Sequence, residues 1–566
     1  MLTINNAIIP IGMIIGLILF SELLAAKASS KRAKKKLEKR RLKEIHHKPH
    51  QSLIIEKPQE GHIILGKRRK EYVALPLKKI VHCFLAGTSG GGKSAAYVIN
   101  WIMDNPKTPK LVLDIKGELH EKAVLMDDAA ICIIDPTDHT SYGFDVFSSL
   151  PVGATLQEVK EAVELVSIAL IPMPKSGADK YWYISGRTMM TGLMGYYYML
   201  GEKDLIRIIE RILGSPIKEQ LNKALAETPA LFGNNSFIYQ SLIEYQKMDD
   251  SQFHGVYSTV TEAINCFGDE DLKYTFSTAS QKVGVDHLET GKSIFLSIPE
   301  NKLVPYAGAL TMIFSVMLTA LSKRPDTGAD DVMIILDELG RLVSANASLS
   351  ILPDYMMTLR SKKVHIFLVL QQLSALESGF SKGQIASLIG NCSTRILLDG
   401  SSEETTKSVC DYWAGQTINE HRSTSYDAKR ISSTRSYDIK NALVAEDLNR
   451  LPRDDEALVI TNQGYCIVKK AMHYNDPNYM ERAAIIKRHN VPIISETERK
   501  CAGLRDEERN KQLEELQDRK AKYDAEKEIR MAFRKKKETE KAMNEITQIL
   551  NSPEFDDDED EEEIDT

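Results

Sequence analysis

The sequence predicts an α/β protein in which an all-helical segment interrupts a largely parallel sheet. Short apolar, β-branched runs alternate with helical stretches early in the chain, and similar runs return after residue 286. In chain order these runs are IVHCFLAG, LVLD, AICIID, SIFLSI, VMIILD, HIFLVL and TRILLD. Strands buried on both faces form continuous apolar segments of this kind. We therefore predict a sheet domain in two parts, residues 64–153 and 287–495, around an all-α insertion at residues 154–286.

The first strand leads into a glycine-rich turn, and a helical pattern follows the turn. Gly87, Gly92, Lys93 and Ser94 match the pattern GxxxxGK[ST] in full, with Thr88, Ser89, Gly90 and Gly91 inside it. Such a turn surrounds a phosphate with backbone N–H groups, while its lysine reaches the β- and γ-phosphates and its serine binds Mg²⁺. A glycine-rich turn that binds nothing is the alternative. The strand before the turn and the helix after it favour nucleotide binding.

A second apolar strand ends in two adjacent acids. The segment VMIILDELGRL places Asp337 and Glu338 at a sheet edge. Asp337 is predicted to hold the Mg²⁺ together with Ser94, and Glu338 to act as the general base that activates water. Acid pairs at strand ends are common on their own, so this prediction depends on the phosphate-binding turn.

Three further polar residues are candidates for the same reaction. Gln371 follows the strand HIFLVL and is predicted to orient the attacking water, although a capping or surface amide would fit the same position. Arg360 and Arg395 are candidates to donate charge to the γ-phosphate of a neighbouring subunit. A structural ion-pair role remains open for each of them.

The N-terminal segment predicts a membrane anchor. Residues 7–26 are uncharged apart from Glu22, and about twenty helical residues cross a hydrocarbon core of about 30 Å. A basic cluster follows at residues 27–43, which orients the bulk of the chain towards the cytoplasm. We predict that residues 1–26 anchor the protein in the inner membrane with a single transmembrane helix, and that residues 27–63 form a basic connector. The uncharged stretch 304–321 is interpreted as a buried helix rather than a second span.

The C-terminal region is highly charged. Residues 496–550 predict a charged helical extension, and residues 551–566 predict a disordered acidic tail. This tail would bind a basic partner or simply keep the protein soluble, and both alternatives remain open. Residues 421–437 contain four basic residues among hydroxyls and are interpreted as a loop. Contact with a nucleic-acid backbone is the less favoured role for it.

The ordered set of motifs resembles the type IV coupling proteins, the conjugative DNA-transfer ATPases of type IV secretion systems. The segments are GTSGGGKS, LVLDIKGEL, ILDELGRL, LVLQQLSALE, IGNCSTRILLDGSSEETTKSV and LPRDDEALVITNQGYCIVKK. They lie between about residues 64 and 479. The DxKGE segment that follows the phosphate-binding turn is more diagnostic than the turn, which many families share.

This resemblance implies a membrane-anchored, RecA-like motor that uses ATP and Mg²⁺ and assembles as a homo-hexamer around a channel. It implies that Lys93, Ser94, Asp337, Glu338 and Gln371 have the roles given above. The implied partners are the secretion channel, single-stranded DNA, and a relaxase with its processing factors or protein effectors, with the tail as a candidate contact. Members commonly have two spans, whereas this sequence predicts one.

Two other functions remain open. A chromosome- or plasmid-segregation DNA translocase would belong to the same RecA-like superfamily, but the DxKGE segment and the helical insertion argue against it. A membrane recruitment platform would bind nucleotide and present cargo without hydrolysis. The sequence also leaves open whether the cargo is DNA, protein or both.

Overall fold

A computed structural model describes most of the chain between residues 49 and 484. The described ranges are 49–122, 130–174, 180–214, 216–277, 280–345, 349–398, 407–427, 430–444, 447 and 455–484, with separate positions between 511 and 548. Residues 49–149 and 264–484 contribute to one compact unit, and residues 150–263 to a second. Across these ranges, no helix is both long and apolar enough to cross a bilayer. The predicted anchor at residues 7–26 and the acidic tail lie outside them.

The first unit is built on a twelve-stranded sheet. Its strands are β1 (Ile54–Ile55), β2 (His62–Arg68), β3 (Glu71–Pro76), β4 (His82–Ala86), β5 (Lys110–Asp114), β6 (Ile131–Ile134), β9 (Ser293–Ser297), β10 (Val332–Leu336), β11 (Val364–Leu370), β12 (Thr394–Leu397), β15 (Glu456–Thr461) and β16 (Gly464–Lys469). Across the sheet they run β1-β3-β2-β16-β15-β12-β4-β11-β10-β5-β9-β6. Strands β7 (Gly143–Phe144) and β8 (Lys282–Val283) pair separately, as do β13 (Gln416–Asp427) and β14 (Arg430–Asn441).

The parallel core of this sheet consists of the seven strands that the apolar runs predict. All neighbouring pairs from β12 to β6 are parallel. Every residue of β4, β5, β9, β10 and β11 is buried. Trp101, on the helix that follows the phosphate-binding turn, packs against Phe367 of β11 with ring centroids 5.0 Å apart. The α/β prediction is confirmed.

Five antiparallel strands extend the sheet beyond β12, and the sequence-based interpretation missed them. Strand β15 pairs with β12, and β16, β2, β3 and β1 follow. Because β1 and the start of β2 fall inside residues 27–63, the boundary at residue 64 is corrected: the sheet begins within the predicted connector. The predicted loop 421–437 is also wrong, because its backbone forms most of the β13–β14 hairpin. This segment contains threonine, isoleucine and tyrosine, which favour extended structure.

Along the chain, the helices of the two units lie between or after these strands. The α-helices are Ile99–Asp104, Leu156–Leu170, Lys180–Met199, Leu205–Gly214, Ile217–Leu231, Phe237–Leu242, Asp250–Ile264, Glu270–Phe276, Val285–Glu289, Ala307–Ser322, Leu339–Ser344, Leu352–Leu359, Lys382–Gly390 and Pro477–Ala484. Short 3₁₀ turns are Gln51–Leu53, Leu77–Lys79, Ile243–Lys247, Asn265–Gly268, Glu300–Lys302 and Leu373–Leu376, and π-type turns are Ser94–Val98 and Val409–Trp413. The described positions between 511 and 548 are helical and exposed.

The second unit is helical. Its first helix, Leu156–Leu170, begins with a capping box in which Thr155 and Glu158 satisfy each other's backbone N–H groups. Gly192 allows the helix Lys180–Met199 to approach its neighbours, since a Cβ there would lie 2.6 Å from Leu242 Cδ2. The boundary predicted at residue 286 shifts to 263. Residues 264–286 belong to the sheet-bearing unit, where β8 pairs with β7.

The uncharged stretch at residues 304–321 forms one buried helix of the sheet-bearing unit. This helix, Ala307–Ser322, lies between β9 and β10 in the chain, and twelve of its residues are buried. The interpretation as a buried helix is confirmed, because sixteen residues are too few for a bilayer span.

Candidate active site

Three adjacent strands deliver the predicted site residues to one sheet edge. Strands β4, β11 and β10 are neighbours and run parallel, so their carboxyl ends lie side by side. The phosphate-binding turn follows β4, Gln371 follows β11, and Asp337 follows β10. The strand order therefore brings together residues that are far apart in the chain, such as Ser94 and Asp337, which are 243 positions apart.

The phosphate-binding turn is a compact loop closed by backbone hydrogen bonds. The Gly91 N–H donates to Thr88 O at 3.1 Å, and the Gly87 N–H donates to Leu370 O of β11 at 3.3 Å. Gly92 has φ +86°, a left-handed conformation that disfavours other residues. Lys93 is buried, and its ammonium donates to Gly87 O at 3.0 Å and to Thr88 O at 3.1 Å. The lysine is thereby held at the loop that it is predicted to serve.

Ser94 and Asp337 form the contact expected of a Mg²⁺ site. The Ser94 hydroxyl donates to Asp337 Oδ2 at 3.1 Å. Burial raises the pKa of Asp337 to about 6, and the Glu338 carboxylate adds to this effect. The pKa of Asp337 is lowered in turn by the Ser94 hydrogen bond and by the positive charges of Lys116 and Lys93. A hydroxyl beside a carboxylate is the oxygen donor set that Mg²⁺ prefers, so these two residues fit the ion.

Glu338 is held in a special conformation next to this pair. Its backbone is left-handed at φ +55°, and the residue is only 4% exposed. Gln371 Nε2 donates to Glu338 Oε2 at 2.9 Å, and Arg341 Nε lies 3.5 Å from the same oxygen. A non-glycine residue is held in this backbone region only when its surroundings determine it. The arrangement fixes a carboxylate and an amide at the edge where a γ-phosphate would lie.

Burial also lowers the pKa of Lys93. The carboxylates of Glu338 and Asp337 oppose that effect. The site therefore contains one buried cation and two buried acids that partly compensate one another.

Neither predicted arginine contacts this cluster in the same chain. Arg360 is exposed and follows the helix Leu352–Leu359. Its positive charge contributes to lowering the pKa of His82. His82 is the first residue of β4 and lies at the sheet edge opposite the turn. Arg395 is half-buried on β12, where it donates to Ile389 O at 3.1 Å and lies over the Trp413 ring at 5.2 Å. Of the two, Arg360 is the more exposed.

The aspartate of the DxKGE segment closes a turn after β5, a structural role that the sequence did not predict. Asp114 ends β5, and its carboxylate accepts the N–H groups of Glu118 at 3.1 Å and Leu119 at 2.8 Å. Lys116 is exposed at this turn, and its positive charge acts to lower the pKa of both Asp337 and Lys93. The aspartate thus closes a turn that places a cation near the acid pair.

Sequence analysis missed Lys470, which also contacts the phosphate-binding turn. Its ammonium donates to Gly91 O at 2.8 Å, and the residue is only 9% exposed. Its neighbour Lys469 is exposed and pairs with Asp455. The sequence distinguishes the two lysines only by the alternation of side chains at the end of β16, which places them on opposite sides of the strand.

The chain is similar to known conjugation proteins. Residues 26–495 match the family model described as "Type IV secretory system Conjugative DNA transfer". Among solved structures, the unbound bacterial conjugative coupling protein TrwBdeltaN70 is 14% identical, with a TM-score of 0.55 over 74% of this chain and 90% of that chain. TrwB in complex with the non-hydrolysable GTP analogue GDPNP is 15% identical, with a TM-score of 0.54 over 74% and 91%.

TrwB in complex with the ATP analogue ADPNP is 14% identical, with a TM-score of 0.54 over 74% of this chain and 91% of that chain. At these identities the structural likeness shows a shared fold. No curated protein gives a significant match. The family model, in contrast, covers most of the chain and includes every residue of the cluster described above. The protein belongs to the conjugative DNA-transfer family of type IV secretion systems.

Proposed function

We propose that this protein is a membrane-anchored ATPase that couples substrate to a type IV secretion channel through ATP hydrolysis. The observation that supports hydrolysis is the pair of contacts at the sheet edge, Ser94 with Asp337 and Gln371 with Glu338. A protein that only binds nucleotide needs the first pair but has no use for a buried base positioned by an amide. The solved complex of TrwB with the ATP analogue ADPNP supports ATP as the substrate, and a second TrwB complex contains the GTP analogue GDPNP.

The proposed roles follow from position and chemistry. Residues Gly87–Gly92 bind the phosphates through N–H groups, and Lys93 exchanges its carbonyl partners for phosphate oxygens. Mg²⁺, held by Ser94 and Asp337, would neutralise charge on the β- and γ-phosphates when bound. Glu338 takes a proton from the attacking water, and Gln371 orients both the water and Glu338.

The remaining proposals concern assembly and cargo. A homo-hexamer would allow Arg360 to reach a neighbouring subunit's γ-phosphate, and its exposure supports this role over that of Arg395. A single N-terminal span at residues 7–26 would anchor the ring in the inner membrane. DNA is the cargo class that the family description supports. Our finer proposal is that this DNA is single-stranded and bound to a relaxase, with protein effectors as the alternative.

The test is Glu338→Gln in the full-length protein. We expect the wild type to hydrolyse ATP, and we expect single-stranded DNA to stimulate this hydrolysis. The variant should lose about 100-fold or more in kcat while it retains MgATP binding. DNA transfer in cells should be lost with it. Glu481→Gln is the matched control, because Glu481 is exposed in the same unit and should leave all three measurements unchanged.

One outcome would contradict the proposed hydrolysis-driven function, and another would change the proposed cargo. Undiminished transfer by Glu338→Gln, with ATPase activity lost, would favour a recruitment platform. Wild-type activity that does not respond to single-stranded DNA, with no crosslinks to transferred DNA in cells, would favour protein cargo.

A further inference from the structure

A segment far along the chain lies against the phosphate-binding turn and the helix that follows it. We call residues 470–476, between β16 and the helix Pro477–Ala484, the strap. The His473 N–H donates to Ala95 O at 3.0 Å, and Asn100 Nδ2 donates to Ala471 O at 2.7 Å. Together with the contact between Lys470 and Gly91, these hydrogen bonds join the strap to the turn and to the start of the helix Ile99–Asp104.

Lys470 acts on the peptide that joins Gly91 to Gly92. The carbonyl of Gly91 accepts the Lys470 ammonium at 2.8 Å. In a planar trans peptide the C=O and the next N–H point in opposite directions. Holding the Gly91 carbonyl towards Lys470 therefore directs the Gly92 N–H to the other side of the peptide, away from Lys470. This orientation matters because a phosphate-binding turn works through its N–H groups.

The turn needs such a restraint because it contains three consecutive glycines. Gly90, Gly91 and Gly92 have no side chains to limit their backbone, and peptides between glycines rotate easily. The strap also closes the space beside Gly92, since a Cβ there would lie 2.7 Å from Met472 Cε. Lys470 and Met472 thus restrict the same peptide, one by a charge-assisted hydrogen bond and the other by packing.

The strap is itself anchored at both ends. The Lys470 N–H donates to Asp455 O at 2.8 Å. At the other end, the buried Asp476 accepts from Lys67 Nζ at 2.5 Å and from the Tyr72 hydroxyl at 2.6 Å. The ammonium of Lys470 is therefore presented from a fixed backbone rather than from a mobile surface chain.

We propose that Lys470 is a positioning residue for nucleotide binding, which acts through Gly91 and sets the N–H groups of the turn for the β-phosphate. This inference rests on the proposed ATPase function. Lys470 is distinct from Lys93, because Lys93 donates to the carbonyls of Gly87 and Thr88 at the start of the turn, whereas Lys470 donates to that of Gly91 near its end. Its removal lowers the affinity for any nucleotide that has a β-phosphate and has a smaller effect on the chemical step.

The experiment compares Lys470→Met with Lys469→Met in the full-length protein. Both substitutions remove one positive charge from adjacent residues at the end of the same strand, but only Lys470 contacts the turn. We expect Lys470→Met to weaken MgADP and MgATP binding by about tenfold, the usual effect of losing one charge-assisted hydrogen bond. KM for ATP should rise accordingly, and kcat should change by less than about threefold. Lys470→Arg should restore most of the affinity, because it retains a buried donor.

A second measurement separates positioning from general stabilisation. Amide hydrogen exchange should quicken at Gly91–Lys93 in Lys470→Met without nucleotide, and the global unfolding temperature should resemble that of Lys469→Met. Wild-type affinities in Lys470→Met, with or without lower stability, would overturn the inference and leave the ATPase proposal intact. A wild-type protein that binds neither MgADP nor MgATP would instead refute the proposed function, and this inference with it.

Discussion

Replacing Asp337 with asparagine should stabilise the fold while abolishing Mg²⁺-dependent activity. Burial and the neighbouring Glu338 raise the Asp337 pKa from 3.8 to about 6. Because the folded state holds this proton more tightly than the unfolded state, stability falls as the pH rises through the interval between the two values. A pKa raised from 3.8 to about 6 corresponds to a cost of about 3 kcal/mol when the group is fully ionised.

The predicted stability gain therefore depends on pH. Relative to the wild type, Asp337→Asn should gain less than about 1 kcal/mol near pH 4 and about 3 kcal/mol at pH 8, since asparagine does not titrate there. Denaturant unfolding should be followed by tryptophan fluorescence in a Trp182→Phe background. Trp182 lies in the helical unit, whereas Trp101 and Trp413 belong to the sheet-bearing unit, so the remaining signal reports the relevant fold.

The control is Asp330→Asn. Asp330 is exposed shortly before β10, at the strand end opposite Asp337, so its replacement should change the stability little. A gain for Asp337→Asn that is the same at pH 5 and pH 8, or a loss at pH 8, would refute the reasoning. Either result would mean that the folded site does not disfavour the ionised carboxylate.

Two further predictions test the site and the second unit. Gln371→Glu should lower kcat more than Gln371→Met, because a second carboxylate would face Glu338 across the present 2.9 Å hydrogen bond; equal kcat values would show that this charge is unimportant. Gly192→Val should destabilise the helical unit by about 1–3 kcal/mol in unfolding followed by circular dichroism, because the new side chain meets Leu242. Gly214→Val, where a Cβ meets nothing within 4 Å, should cost much less, and a similar cost would contradict the packing argument.

The parallel core could be predicted from sequence because its strands are buried on both faces and are continuous in apolar residues. The same reasoning brought Lys93, Ser94, Asp337, Glu338 and Gln371 to one edge, since strand ends of a parallel sheet share a side. Strand order was not available from sequence, because it depends on packing between segments hundreds of residues apart.

The antiparallel extension was missed for a different reason. Strands β2 and β3, and likewise β15 and β16, are joined as antiparallel hairpins without an intervening helix. The alternation of strands and helices on which the prediction depended therefore did not include them. Lys470 was missed with them. Its burial results from the path of the strap across the turn, which a local pattern does not encode.

The energetics of the site connect its stability with its function. Burial raises the Asp337 pKa and lowers the Lys93 pKa, so each charge is disfavoured by its surroundings and only partly compensated by the others. MgATP would place a cation beside Asp337 and phosphate oxygens beside Lys93, which are the charges that each group lacks. Part of the nucleotide's binding free energy would then come from relief of this cost. The same charges that weaken the free protein favour the bound state, and Asp337→Asn should gain less stability from MgATP than the wild type does.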